Sequence, residues 1–367
     1  MVYITEQLLN TRENSTVIAK DILLNITGGS IGRCAIVPDD FSKGSINQHI
    51  LIIRMVEEET RFFTHLVLCS PYAQNHIKSK AVGDKDGFSG GRCKYMPVPL
   101  PPLPVQKRIV SIIHSAFSVL DTIDTLQGQY QDNLATLKSK IIDAGIQGKL
   151  TEQLPEDGNA EELYQQIQRE KLALEKAGKI KKSKPLPPIS DEEKPFDIPD
   201  NWKWVRLADV YEINPKVNAD DNINAAFIPM ERISAGFDRS FSYVVQKWSE
   251  ASKNHTRFCD GDVAFAKISP CFENRKSFVV ENLPNSLGGG TTELIILRQK
   301  LIDPLFTYYL ILDERFIRLG LSTYKGTVGQ QRIKNDVMFA YVFPFPPLAE
   351  QKRIVAKLEE LLPLCEG

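Results

Sequence analysis

Pro101-Pro102-Leu103-Pro104-Val105-Gln106-Lys107-Arg108-Ile109-Val110 returns as Pro346-Pro347-Leu348-Ala349-Glu350-Gln351-Lys352-Arg353-Ile354-Val355, 245 positions later and with eight of ten residues identical. Repetition over such a span marks a duplicated structural unit. The residues ahead of each copy keep one order. Asp21-Ile22-Leu23-Leu24 and Asp262-Val263-Ala264-Phe265 read as strands, a Gly-bearing turn follows, and a second apolar run ends in Arg54 or Arg298. An amphipathic helical stretch (62–77; 305–319) and a Gly-rich loop (87–92; 326–332) complete each unit. The order predicts a domain, a connector and the same domain again.

The expected divisions are 1–104 for the first domain, 105–200 for the connector, 201–345 for the second domain and 346–367 for the start of a second conserved helix. The second copy opens near Asn201-Trp202-Lys203-Trp204, about 144 residues before Phe345, whereas the first has about 100 residues before Leu100. The first copy is therefore expected to lack roughly forty residues of its opening, and the last helix to be cut at Gly367. Within the connector, Ile109, Ile113, Leu120, Leu126, Leu134, Leu137 and Ile141 fall on one stripe at spacings of three and four, along a Pro-free run from Gln106 to about Gln147. This predicts a long amphipathic helix started by Pro101, Pro102 and Pro104, with Gly128 as an interior weak point. A second helix is expected from about Ala160 to Ala177, capped by Gly178. The lysines of 179–184 read either as a solvated linker or as a strap for phosphates.

The 367 residues are 42% hydrophobic and 25% charged, which excludes disorder, and 45 basic against 46 acidic residues leave a net charge of −1. Apportioned, the four segments carry +1, −3, +2 and −1, so DNA affinity, if present, must come from a few loops rather than from a basic surface. Six scattered cysteines without a Cys-x-x-Cys pair fit free thiols in a reducing compartment, so the expected location is cytoplasmic. No stretch is expected to reach the roughly 20 apolar residues that span a bilayer.

Gly148-Lys149-Leu150, Lys184-Pro185-Leu186-Pro187-Pro188-Ile189, Ile198-Pro199-Asp200-Asn201-Trp202-Lys203-Trp204-Val205-Arg206-Leu207 and the duplicated Pro-Pro-Leu-x-x-Gln-Lys-Arg-Ile-Val carry a resemblance. Over essentially its whole length the chain resembles the specificity (S) subunit of type I restriction-modification systems. The resemblance implies an α+β chain: two mixed α/β target recognition domains linked by long conserved helices that form an antiparallel coiled coil. It implies that each domain reads half of a bipartite site in double-stranded DNA, and that two modification subunits and the restriction subunits dock on the helices. S-adenosylmethionine, ATP and Mg are then expected on those partners and no cofactor on this chain.

Motifs for catalysis are missing from the sequence. There is no phosphate loop, and Gly28-Gly29-Ser30-Ile31-Gly32 and Gly288-Gly289-Gly290 lack dinucleotide spacing and read as loops. Asp303-Pro304-Leu305-Phe306 departs from the adenine methyltransferase motif at Leu305 and reads as a helix start, Pro38-Asp39-Asp40-Phe41 reads as a turn, and the histidines show no metal-ligand spacing.

Binding chemistry remains, through donors and acceptors suited to base edges or phosphates. The loop with Gly329, Gln330, Gln331, Arg332 and Lys334 offers such a set, with bracing of the next strand as the competing role; its counterpart keeps Arg92 and Lys94 but no glutamine. A second set is Lys267, Ser269, Asn274, Arg275 and Lys276, matched by Ser30 and Arg33. Asn47 and Gln48 precede a strand, as Thr292 and Glu293 do, where a structural network competes with base contact. Lys216, Lys253 and Arg257 suit the phosphate backbone. Two functions stay open: a non-catalytic specificity subunit, and a degenerate scaffold that binds modification subunits while reading DNA with one domain or not at all. The apolar stripe predicts self-association or partner capture, so light scattering of the purified chain at micromolar concentration is expected to show a species larger than the monomer.

Overall fold

Alternating burial along Ile22-Leu23-Leu24-Asn25 makes β1 (Ile22–Asn25) the centre of an antiparallel sheet, between β2 (Cys34–Ile36) and β3 (Ile50–Ile53). Helices α1 (Arg61–Cys69) and α2 (Pro71–Lys80) close one face, and Ile22, Leu24, Leu68, Ala73, Ile77, Phe88 and Met96 form its core. Ser70 separates the helices by accepting the Ala73 amide, with Pro71 in the first turn. Gly32, at φ +87°, lets the Gln74 amide reach its carbonyl at 2.8 Å, in space that a β-carbon would fill. The computed structural model describes residues 15–81, 87–180, 186–327 and 330–365, and they fall into two units, Met1–Gly128 and Gln129–Gly367.

The division lies inside α3 (Leu103–Ile146), a helix of 44 residues that runs unbroken through Gly128. At about 1.5 Å per residue it is roughly 66 Å long. One 18-residue window within it reaches a mean hydropathy of 1.4, long and apolar enough to cross a bilayer by length and composition, which corrects the expectation that no stretch approaches that limit. Among the stripe residues Leu120, Leu126 and Leu137 are about half exposed, whereas Ile109, Ile113, Leu134 and Ile141 are partly covered.

The second unit continues with α4 (Ala160–Lys176), β4 (Lys203–Arg206), β5 (Glu212–Ile213), β6 (Asn224–Ile228), β7 (Val244–Lys247), β8 (Thr256–Cys259), β9 (Val263–Ala266), β10 (Ser277–Val279), β11 (Leu287–Gly290) and β12 (Leu294–Arg298). It ends in α5 (Pro304–Leu312), α6 (Glu314–Ser322), β13 (Val342–Phe345) and α7 (Leu348–Leu361). Strand β9 sits between β10 and β12, antiparallel to both, in the arrangement of β1 between β2 and β3. A further sheet orders β8-β11-β6-β7, and β13 pairs with β4. Asp303 starts α5 as its N-cap with Pro304 in the first turn, as expected from the sequence.

The glycines 288–290 are not a loop. They form β11, because the carbonyl of Ala251 in the short helix Trp248–Ala251 lies 1.9 Å from where a Gly289 β-carbon would stand. No side chain fits at Gly289 against that helix, while Phe258 and Leu283 crowd Gly288, and the Ile228 carbonyl crowds Gly290.

The duplicated Pro-Pro-Leu-x-x-Gln signature has a physical cause in each copy. Gln106 donates back to the Pro101 carbonyl at 2.8 Å, and Gln351 to that of Pro346 at 2.9 Å, closing the first turn of α3 and of α7. In the second copy the buried Glu350 carboxylate also accepts from Trp202 Nε1 (2.7 Å), Gln153 (2.9 Å) and Thr151 (3.1 Å). Gly145 of α3 meets Ile354 and Leu358 of α7, and Thr151 meets Glu350, so the end of α3 and α7 pack in antiparallel sense. The expected helix pairing is present at this end, while the middle of α3 is uncovered among the described residues.

Each central strand is preceded by a buried aspartate gripped by an arginine from the neighbouring strand. Asp21 receives Arg54 Nε and Nη2 at 2.7 Å each, and Asp262 receives Arg298 Nε and Nη2 at 2.6 Å each. The same carboxylates accept the amides of Ile18 (2.9 Å) and Cys259 (2.8 Å). Removing one partner of a buried pair strands the other charge. Arg298→Met is expected to lower unfolding free energy by about 3 kcal/mol in urea denaturation. Arg54→Met is expected to cost less, since the Arg54 side chain is 54% exposed against 21% for Arg298.

Candidate nucleic-acid interface

Past its central strand, each domain gathers three loops by the same backbone bonds. In the second domain Ala266 N donates to Lys276 O (2.9 Å), Lys267 N to Glu293 O (2.8 Å) and Ile333 N to Lys267 O (3.1 Å). In the first, Asn25 N donates to Arg33 O (2.8 Å), Ile26 N to His49 O (2.9 Å) and Phe88 N to Ile26 O (2.8 Å). The frame thus presents the expected loops together: 267–276, 291–293 and 330–334 in one unit, and 27–33, 47–49 and 87–94 in the other.

A cleft of about 480 Å³ opens beside this cluster in the second domain, lined by Lys216, Arg257 and Lys267 together with Asn214, Asn254, His255 and Thr292. Three cations predicted from sequence therefore converge. Arg257 is held by the carbonyls of Ser252 and Val217, both at 3.3 Å, and lies over the Trp248 ring. Lys253 is exposed next to the cleft wall. Asn214, Asn254 and His255 were not foreseen. Asn214 takes φ +50° and accepts the Ile296 amide at 3.0 Å, and His255 packs on Phe227 with its Nδ1 3.1 Å from the Ala251 carbonyl oxygen. Their distance from Lys267 along the chain hides this proximity; the local signal is that Asn214 stands two residues before Lys216 and that Asn254 and His255 lie between Lys253 and Arg257.

Other predicted residues have different surroundings. Gly329 lies outside the described residues. Gln330 is exposed, and the Gln331 carbonyl accepts the Ser269 amide at 2.8 Å, so this segment braces the neighbouring loop through its backbone. Ser269 Oγ donates to Glu273 at 3.3 Å, and the Asn274 side chain is exposed. Arg275 binds Glu314 at 2.5 Å and the Leu312 carbonyl at 3.4 Å and covers Phe237; it lines a separate hollow with Ser139 and Asp143 of α3. Lys276 donates to the Met230 carbonyl at 2.9 Å. Arg332 forms a bidentate pair with Glu293 at 2.7 and 2.9 Å, and Lys334 is exposed.

In the first domain Ser30 accepts from Asn25 at 2.8 Å, Asn47 accepts the His49 amide at 3.0 Å, and Arg92 donates to the Lys80 carbonyl at 2.6 Å. Arg33, Gln48 and Lys94 are exposed. Thr27 Oγ1 and His49 Nδ1 lie 2.8 Å apart, where Ile268 and Glu293 stand in the second domain. The frame is shared and its polar contents differ.

Among the described residues no group of three or more His, Cys, Asp or Glu is placed to hold a metal. Burial pushes the Cys34 thiol up to about 12 and Cys259 to about 11, so both are protonated at neutral pH.

The family model for the type I restriction modification DNA specificity domain matches residues 3–131 and 199–365. The chain is 41% identical over 271 residues to the type I restriction enzyme EcoAI specificity subunit of Escherichia coli, covering 71% of this chain and 46% of that one. It is also 41% identical over 234 residues to the EcoEI specificity subunit of the same species, covering 63% and 39%. It thus spans about half the length of the curated relatives it matches. The HsdS subunit of Thermoanaerobacter tengcongensis shares the fold, with a TM-score of 0.50 at 17% identity over 96% of this chain and 76% of that one. A chain from a study of complex assembly in the type I R-M system aligns with a TM-score of 0.60, also at 17% identity, over 95% and 76%.

Hydrogen bonds from Arg332 hold the Glu293 carboxyl below its ordinary value. The pair therefore contributes above that ordinary value and is lost as pH falls through the lowered one. A carboxyl-carbon NMR titration is expected to find Glu293 titrating low in the native chain, and to find its midpoint moved upward in Arg332→Ala.

Proposed function

Because the chain belongs to the type I restriction modification DNA specificity domain family, we propose that it is a non-catalytic DNA specificity subunit whose two domains each read one half of a bipartite duplex site. One observation carries this reading: two domains hold the same ion pair, strand order and loop-gathering bonds, yet place different polar side chains on them. Conserved framing with divergent contents is what two readers of different half-sites require. In the second domain Lys216, Arg257 and Lys267 position the phosphate backbone, while Asn254, Thr292, Asn274 and Gln330 face base edges. The helices α3 and α7 set the spacer and dock two modification subunits, which carry S-adenosylmethionine, and restriction subunits carry ATP and Mg. The complex works in the cytoplasm of a bacterium or archaeon.

The near-neutral charge supports a division of labour in which partner subunits supply much of the grip on DNA. The test is a gel shift across a salt series, with and without modification subunits, on duplexes carrying a split site. Lys216→Ala and Lys267→Ala are each expected to weaken binding uniformly across sequences and to reduce the salt slope by about 1. Absence of any sequence preference in the complete complex would instead support the scaffold function.

A further inference from the structure

Arg332 stands on a backbone that the loops hold from both sides. Its amide donates to Lys325 O at 3.0 Å, and Lys325 N returns a bond to Arg332 O at 3.1 Å. Ser269 N donates to Gln331 O at 2.8 Å, and Ile333 N to Lys267 O at 3.1 Å. Glu293 is tied to the same segment, since its carbonyl accepts the Lys267 amide at 2.8 Å. One short stretch, 267–269, therefore sets the spacing between Arg332 and Glu293, beside the cleft that Lys267 and Thr292 line.

The pair is side-on. Arg332 Nε donates to Glu293 Oε2 at 2.9 Å and Nη2 to Oε1 at 2.7 Å. Nη1 has the Gln330 carbonyl at 3.5 Å, the limit of a hydrogen bond. This grip occupies one edge of a five-donor group and leaves the terminal edge, one proton from each Nη, for a pair of acceptors. The Arg332 side chain is 50% exposed, so that edge is open to a partner. The carboxylate cancels the positive charge that would draw phosphate and keeps the directional donors. Guanine offers N7 and O6 to such an edge, whereas adenine places an amino donor where guanine has O6.

The first domain replaces both members. The bridges Ile268↔Arg332 and Thr27↔Gly87 put Gly87, rather than Arg92, at the position of Arg332. The bonds from Lys267 N to Glu293 O and from Ile26 N to His49 O put His49 at that of Glu293. A brace that the frame required would recur in both domains. Resting on the specificity reading above, we propose that Arg332 reads a guanine in the half-site of the second domain through N7 and O6. Glu293 is the positioning residue that aims it.

The test uses the complex with modification subunits and a pool of randomised duplexes from which bound sequences are selected. The wild-type complex is expected to select a split motif with a guanine that Arg332→Lys and Arg332→Ala no longer prefer, discrimination there falling about tenfold while other positions hold. Lysine keeps the charge and loses the fork. Glu293→Gln is expected to relax the same position, and the double variant with Arg332→Ala to be no worse than Arg332→Ala alone. Deazaguanine lacking the N7 acceptor, placed at that position, is expected to weaken wild-type binding and leave Arg332→Ala unaffected. Discrimination is a ratio within one preparation, so any unfolded fraction cancels. An unchanged motif in both Arg332 variants, weakening spread evenly over all positions, or wild-type indifference to the deaza base would each overturn the proposal with the specificity function intact. A wild-type complex that selects no motif would remove that function and this proposal together.

Discussion

A buried carboxylate held by both nitrogens of an arginine fork is the constraint on which each domain is organised. Asp262 accepts the Cys259 amide and Arg298, while its own carbonyl receives Val280 N at 2.8 Å. One residue thereby ties the turn before β9, the start of β9, the end of β12 and the segment after β10. Asp21 makes the same set of bonds with Ile18, Arg54 and Val37. Charge-assisted bidentate bonds fix geometry as well as energy. With one end of the strand trio pinned, the loops at the other end are free of the duty of holding the sheet together.

Much of this was legible in the sequence because it is local or repeated. The Pro-Pro-Leu-x-x-Gln copies, the Asp-led strands, the arginine-terminated runs and the Asp303 cap each carry their cause within a few residues. The long helix announced itself through uninterrupted periodicity. Gly288-Gly289-Gly290 misled because its reason is Ala251, which closes on it from nearly forty residues away. Arg275 has a neighbour that its sequence surroundings do not reveal. Its basic charge suits phosphate, but the turn from Phe272, closed with φ +54° at Arg275, delivers the guanidinium to Glu314.

The candidate interface was legible in part for the same reason. Lys216, Arg257 and Lys267 were identifiable as cations but not as neighbours, since strand pairing across the second domain brings them to one cleft. Asn214, Asn254 and His255 were marked only by standing beside cations already singled out. Arg332 has a partner that its own loop does not reveal: Glu293, thirty-nine residues earlier, accepts from its Nε and Nη2.

The glycine run of β11 also acts as a gauge. The helix that ends at Ala251 rests on the Gly289 backbone, and the chain then passes directly into Ser252, Asn254, His255 and Arg257, which form one wall of the cleft. The position of that wall is therefore set by carbonyl-to-backbone contact, the shortest spacing two elements can adopt. A single added methyl at 289 would displace the wall by an ångström-scale step and alter the cleft's width while leaving every residue that lines it unchanged.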